Sequence, residues 1–371
     1  MNGTINYQFK MGPLVSIIII NYNTKHLLKG CIDSLLAQNY KNIEIFLIDN
    51  NSPDKSCEYA IQEYSKNGTL HSPENKITFV CNKDNIGYAP AGNQGINLSK
   101  GKYVMLMNPD ILFAPDYLEK CVVKMEENHK IAAICGKIYK YDFQNNKQTN
   151  FIDTVGLFCY RNRRVIDDGQ GLEDQGQFDQ PKEVFGISGA CPLYRKEALE
   201  DAKIKTTSGK EEPQYEYLDN DFFMYKEDVD ISWRFHLLGW TCFFLPTAHA
   251  YHGRGTGVLK RFTTMEVAQN RTKLNAFQKH YSYKNQRLMQ IKNDLWPNIG
   301  HDLPYLLWKE LLMFGYMTLR EPYLYKSFWL MLKQMPKMLK KRKEIMKKRR
   351  VDWKEMQKWV SGKQSQYLLK K

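Results

Sequence analysis

Two groups of side chains in this chain have the types and spacing for chemistry. Glu227-Asp-Val-Asp230 puts three carboxylates within four residues, just ahead of a helical pattern at Ile231–Leu238 that Gly239 closes. Three acids beside Phe222-Phe-Met-Tyr225 are costly to bury without a cation or a proton-sharing substrate, which points to a functional role. The plainer reading is N-capping by Asp228 at a helix start that favours negative charge. Asn108-Pro-Asp110 ends an apolar run, where Asp110 could bridge Mg²⁺ or Mn²⁺ to a substrate diphosphate; taken alone, the tripeptide reads more simply as the opening of a turn. His252 lies in His249-Ala-Tyr-His-Gly-Arg-Gly255, where glycines admit a ligand and a neutral imidazole could bind metal, although a single histidine also serves structure. Arg254 could contact phosphates, and Lys260 reads more simply as solvated surface.

These residues need elements to hold them. Val15–Ile20 is a β-branched run of the kind buried on both faces of a parallel sheet; residues 25–38 carry leucines at helical spacing, and Ile43–Ile48 reads as a second strand. A helix near 55–65, a strand at Ile77–Cys81, a helix after a glycine-containing turn at 85–95 and a strand at Tyr103–Met107 continue the alternation. Each strand ends in a polar cluster (Asn21–Asn23, Asp49–Asn51, Asn82–Asn85, Asn108–Asp110), and in such sheets ligands bind beyond the carboxyl ends of the strands. The stretch 140–185 reads as a polar excursion, Phe185–Tyr194 and Thr241–Leu245 as further strands.

The net charge of +14 is unevenly placed: residues 1–253 hold 27 Lys+Arg against 32 Asp+Glu, residues 254–300 hold 9 against 2, and residues 301–371 hold 18 against 6. The positive excess therefore belongs to an extension in which aromatic and long apolar residues alternate with Lys and Arg, the composition of helices lying in an anionic membrane surface. A helical cap on the catalytic part and a nucleic-acid-binding tail are the other readings of that composition. No apolar run approaches the length of a membrane span, and Met1–Pro13 lacks the apolar core of a signal peptide. Eight scattered cysteines with no Cys-x-x-Cys pair read as reduced thiols, so a cytoplasmic enzyme is expected.

Taken in order, Val15–Asn23, Ile48-Asp-Asn-Asn-Ser52, Asn85-Ile-Gly-Tyr88 with Gly92-Asn-Gln-Gly95, Leu106-Met-Asn-Pro-Asp110 and Phe222-Phe-Met-Tyr-Lys-Glu-Asp-Val-Asp230 resemble glycosyltransferase family two, in particular its rhamnosyltransferase-like members of polysaccharide assembly. The resemblance implies an α/β GT-A fold, a Rossmann-like and mostly parallel sheet with helices on both faces, over residues 14–255. Residues 256–371 follow as a helical, basic, membrane-associating extension. It implies an inverting transfer of a sugar, rhamnose-like, from a dTDP- or UDP-sugar to a hydroxyl of a glycan or lipid-linked glycan; the basic extension adds the expectation of the inner face of the plasma membrane, with no nucleic acid as partner. Asp228 is then the base with Glu227 beside it, and Asn108-Pro-Asp110 stands where the family has Asp-x-Asp. Because Asn108 replaces the first acid, the Mg²⁺ or Mn²⁺ site rests on Asp110 and His252. The donor falls to Asn21, Tyr22, Asp49, Asn50, Asn85, Gly87, Asn93, Asn108 and Arg254, with Asp49 accepting hydrogen bonds from ribose or base. The loop reads Ala89-Pro-Ala-Gly92 where relatives often carry a run of glycines. An oxidoreductase is disfavoured because no Gly-x-Gly-x-x-Gly follows the first strand, and a noncatalytic nucleotide-sugar or glycan-binding module because acids stand at 110 and 228.

Overall fold

The computed structural model describes residues 12–65, 71–72, 76–206, 214–253 and 271–361. Strand β1 (Val15–Asn21) is buried from end to end, with Val15, Ile17 and Ile19 facing one core and Ile18 and Ile20 the other. Helices α1 (Lys25–Leu36), α2 (Ser56–Tyr64) and α4 (Tyr117–Glu127) cover the first face. Helices α3 (Tyr88–Leu98), α5 (Lys196–Ala202) and α6 (Glu227–Leu237) cover the second.

The central sheet contains β2 (Ile43–Asp49), β3 (His71–Ser72), β4 (Ile77–Cys81), β5 (Tyr103–Met107), β6 (Ile111–Phe113), β7 (Ile131–Asp142), β8 (Lys147–Thr154), β11 (Lys182–Val184), β12 (Leu193–Arg195) and β15 (Thr241–His252). Its order is β11-β15-β7-β12-β5-β1-β2-β4-β3, with β6 on β15 and β8 on β7. Strands β5, β1, β2 and β4 run parallel, as do β7 and β15, while β12 is antiparallel between β5 and β7. The register sets Asn21 beside Asp49 and Asp49 beside Cys81, which levels the polar strand ends along one rim. Strands β9 (Leu157–Tyr160), β10 (Val165–Asp167) and β16 (Val360–Ser361) form a small second sheet, and β13 (Ile204–Lys205) pairs with β14 (Tyr215–Glu216).

Several expectations change. Gly92 and Gly95 lie inside α3 rather than in a turn, because a side chain at Gly95 would run into Ile18 of β1 and one at Gly92 into Leu218. Of Phe185–Tyr194, only the end is strand, as part of β12. Strand β15 does not stop at Leu245 but continues through a register shift to His252, so His249–His252 is strand. Cys57 and Cys81 are joined as a disulfide with Cα atoms 6.1 Å apart, because α2 packs on β4; the other six cysteines are free and buried.

The extension is helical: α7 (Ala276–Asn293), α8 (Trp296–Arg320), α9 (Tyr325–Lys348) and α10 (Trp353–Lys358). Among the described residues no helix is long and apolar enough to cross a membrane. Leu288, Met289, Met331, Met338, Ile345 and Met356 share a third hydrophobic core with Phe222, Val229, Trp233 and Leu237, and β16 pairs with β9. Much of the basic charge also turns inward. Lys292 and Lys341 are buried against Asp219, Asp230, Glu216 and Asp221, and Arg163 is buried between Asp294 and Asp302.

Candidate active site

The acid cluster begins α6. The chain reaches it through a 3-10 turn (Asn220–Phe222) and then takes positive φ at Phe223, Tyr225 and Lys226. Non-glycine residues hold such angles only where their surroundings enforce them. Here Asn285 of α7 supplies the enforcement: its amide donates to the carbonyls of Phe222, Met224 and Tyr225 at 2.8–2.9 Å. Phe223 also stacks on Tyr281 of the same helix, at 5.3 Å between ring centroids. The helix that follows therefore starts in one place. Asp228 accepts from the N–H of Gly189 at 2.9 Å and from that of Val229 at 2.8 Å. Burial raises its pKa, while the Lys226 charge and these amides act in the opposite direction. Burial, and then the charge of Asp228, pushes Glu227 up to about 8, and its Oε2 is buried with no hydrogen-bond partner. Asp230 faces away, bonded to Arg234, Lys292 and Asn293.

Because Asn285 touches the loop and not the acids, Asn285→Leu is expected to lower kcat by about 10-fold to 10²-fold through misplacement of Asp228, with the KM for the donor within about threefold. Steady-state kinetics on a folded variant check this, and Asn285→Gln is expected to restore part of the loss. A purely structural asparagine would leave kcat per folded molecule unchanged.

The second group lies across the same rim. Asn108 follows β5, and its N–H donates to Ala190 O at 3.0 Å, next to the Gly189 that contacts Asp228. Asp110 sits in the turn before β6, held by Gly253 N–H on its carbonyl at 2.9 Å. Its Oδ1 is buried and lies 3.3 Å from His252 Nε2 without hydrogen-bond geometry. His252 Nδ1 is 2.7 Å from Asp153 Oδ2. Burial opposes protonation of this imidazole, but the adjacent carboxylates of Asp110 and Asp153 carry its pKa up to about 9. Tyr88 joins the two groups: its hydroxyl donates to Gly189 O at 3.1 Å. Burial and then the charges of Glu227, Asp228 and Asp110 raise its pKa far above the phenol range.

The carboxylate Asp49 is buried and receives Asn21 Nδ2 at 2.6 Å, Ser52 Oγ at 2.6 Å and Ser52 N–H at 2.9 Å. Tyr22, 48% exposed, directly follows β1. Other sequence-named donor residues face inward and serve the fold. Asn93 uses both ends of its amide on Leu218, Asn220 and Tyr217, so it has no capacity left for a donor. Asn21 bonds Asp49, Ser52 and Thr24. Asn50 bonds Gly87 O and Asn82. Gly87 has φ 93° and a Cβ there would stand 2.7 Å from Phe223 O, so this glycine admits the acid-bearing loop. Asn85 is exposed and accepts from Gly87 N–H at 3.0 Å, and Asn108 is half-buried. Arg254 and Lys260 lie outside the described residues. Sequence reasoning missed Asp153, Tyr88 and Asn285 as site residues. Only Tyr88 carried a signal, as part of Asn85-Ile-Gly-Tyr88.

The sequence pattern described as glycosyl transferase family 2 matches residues 16–202, half of the chain. The chain belongs to glycosyl transferase family 2. The match takes in Asp49, Tyr88, Asp110 and Asp153 and ends ahead of Glu227–Asp228. Among curated relatives, the family-2 chain is 33% identical over 122 residues to a glycosyltransferase of Haemophilus influenzae, covering 33% of this chain and 36% of that one. It is 30% identical over 149 residues to the glycosyltransferase GlyG of Streptococcus pneumoniae, covering 40% and 46%. The chain thus spans less than half the length of these relatives. In fold it is similar to S. aureus TarS 1–349, with a TM-score of 0.51, 13% identity, and 90% of this chain and 88% of that one covered. GalNAc-T7, solved with UDP, GalNAc and Mn²⁺, gives a TM-score of 0.51 at 15% identity, covering 84% and 58%. These likenesses show the GT-A α/β fold.

Proposed function

We propose that this family-2 chain is an inverting glycosyltransferase that moves a sugar, rhamnose-like, from a dTDP- or UDP-linked donor to a hydroxyl of a glycan or lipid-linked glycan in cell-surface polysaccharide synthesis. One observation carries the reading: Asn108 of the Asn108-Pro-Asp110 turn and Asp228 bond the adjacent residues Ala190 and Gly189, and Tyr88, which bonds Gly189 O, feels the charges of both Asp228 and Asp110. Asp228 removes the proton of the acceptor hydroxyl, the hydroxyl oxygen bonds the anomeric carbon, and the bond from that carbon to the diphosphate oxygen breaks on the opposite face. At neutral pH Glu227 is held neutral beside Asp228, so only one of the two takes a proton. Tyr22 offers its exposed ring to the base, and Asp49, oriented by Asn21 and Ser52, accepts from the nucleoside.

The residues present fit a divalent cation. Asp110 Oδ1 is a buried oxygen without a hydrogen bond, facing an imidazole whose far nitrogen is fixed by Asp153; Asp110 and Asp153 hold this imidazole protonated at neutral pH, so a cation here would have to displace its Nε2 proton. Among the described residues no three His, Cys, Asp or Glu side chains gather as a metal site, so donor oxygens complete the shell in this reading. When bound, Mg²⁺ or Mn²⁺ supplies positive charge for the leaving diphosphate. Asp110→Asn is expected to weaken Mn²⁺ binding in the presence of UDP or dTDP by about 10-fold to 10²-fold, read by calorimetric titration. Matching titrations for variant and wild type would remove Asp110 from the metal site.

The same reading places the enzyme in the cytoplasm, peripheral on the anionic inner face of the plasma membrane, where a lipid-linked acceptor is within reach. The extension's outward basic residues support the membrane and six free cysteines support the reducing compartment, while the Cys57–Cys81 bridge runs against the latter.

A further inference from the structure

Helix α8 is amphipathic in an unusual sense: Asp302, Lys309 and Glu310 bond the protein, and the exposed Arg320 stands only at its C-terminal end. Asp302 bonds Arg161 and Arg163, Glu310 pairs with Arg287, and Lys309 bonds Asn162 O. Between Leu303 and Leu319 no other residue of the helix is charged. The outward half carries Leu303, Leu307, Trp308, Leu311, Phe314 and Leu319; Trp308 is 65% and Leu319 82% exposed. Gly300 and Gly315 have nothing within 4 Å of where a Cβ would stand. Thr318, the polar residue on this arc, bonds back to Phe314 O. At 1.5 Å rise per residue the apolar arc runs for about 25 Å.

The next helix complements it. On α9, Lys326, Lys333, Lys337, Lys340, Lys343 and Lys347 are exposed at spacings of three, four and seven, which puts them on one face, with Trp329 among them. Lys337 pairs with Asp221 and Lys347 with Glu344; the other four have no ion-pair partner among the described residues.

We infer that α8 inserts its apolar arc into an anionic lipid surface, to which the lysine face of α9 draws it. This rests on the membrane reading above and deepens it: the inserting element is the arc of α8, and the attraction comes from the outward lysines of α9, since Lys284, Lys292 and Lys341 are buried in the protein. A second copy on the arc would leave the unpaired outward lysines of α9 without counter-charge, whereas anionic headgroups neutralise them.

Full-length protein is sedimented with vesicles of phosphatidylcholine alone and of phosphatidylcholine with phosphatidylglycerol, at low and high salt. Wild type is expected to pellet with the anionic vesicles at least about tenfold better than with the neutral ones. L307Q/W308Q/L311Q, all at exposed positions, is expected to lose at least about tenfold of that binding while keeping its melting temperature and its UDP affinity. Replacing Lys326, Lys333, Lys340 and Lys343 by Gln is expected to remove the salt dependence. Wild type that stays in the supernatant, or a triple variant that pellets like wild type, overturns the inference. So does a dimer on size exclusion that the triple variant dissociates, which would give the arc to a second copy. UDP binding is measured in solution on the same samples, so loss of the membrane inference leaves the catalytic reading to stand or fall separately.

Discussion

Asp228→Asn is expected to lower kcat by about 10²-fold to 10⁴-fold, the usual cost of removing a general base, while nucleotide binding stays close to wild type. The amide keeps the shape of the carboxylate and one oxygen for the N–H of Gly189 or Val229, so the loss is of proton-accepting power rather than of fold. Glu227→Gln is the control. Because burial and the charge of Asp228 hold Glu227 up to about 8, it is already neutral at pH 7, and the isosteric amide is expected to cost no more than about tenfold. The two variants also separate in stability. A carboxyl whose folded pKa is raised loses stability for the protein as pH climbs from the ordinary carboxylate value toward the folded one, because the unfolded chain ionises first. Glu227→Gln is therefore expected to melt above wild type at pH 9 and level with it at pH 4. On the acid side, the raised pKa of Asp228 is expected to put the fall in kcat/KM above the normal aspartate range. Equal turnover in Asp228→Asn and wild type would exclude this residue as the base.

The sheet was legible because burial on both faces leaves a plain mark. Val15–Ile20 has no polar alternation, and the structure sends its side chains into two cores. The polar strand ends were legible for the same reason, since polar residues interrupt apolar runs where strands emerge. What the asparagines do there was not. Asn21, Asn50 and Asn93 have the composition of a binding rim, yet their amides bond other strand ends and loops, and partners 28 to 127 residues away leave no trace in local sequence. Asp153 was hidden in a polar stretch, and it became a site residue only because β8 pairs with β7, which lies beside β15, the strand that carries His252. The extension misled in one respect. Its lysines read as a single basic surface, but some of that charge answers acids of the catalytic part, and only a three-dimensional arrangement separates the inward lysines from the outward ones.

That inward group carries the second large effect. Asp219 is fully buried, and it bonds Lys292 of α7 and Lys341 of α9 while capping the 3-10 turn that leads to the acid loop through Asp221 N–H at 3.0 Å. Burial alone would raise its pKa, but the two lysines hold it well below the usual carboxylate range. Asp219→Asn removes one negative charge and leaves two buried ammonium groups to share Glu216, Asp221 and Asp230. Breaking one partner out of a buried charge group costs about 3–5 kcal/mol, so a fall of several degrees in melting temperature is expected at pH 7. A carboxylate with a depressed folded pKa contributes fully above its unfolded value and loses that contribution as pH falls toward the folded one. The gap between wild type and variant should therefore be complete at pH 7 and narrow below about pH 4. Activity should fall with it, because Lys292 belongs to α7, the helix whose Asn285 holds the acid loop in its positive-φ path. Melting curves of both proteins from pH 3 to pH 8 decide the matter. A gap that stays constant across that range would mean that the asparagine acts through shape and not through charge.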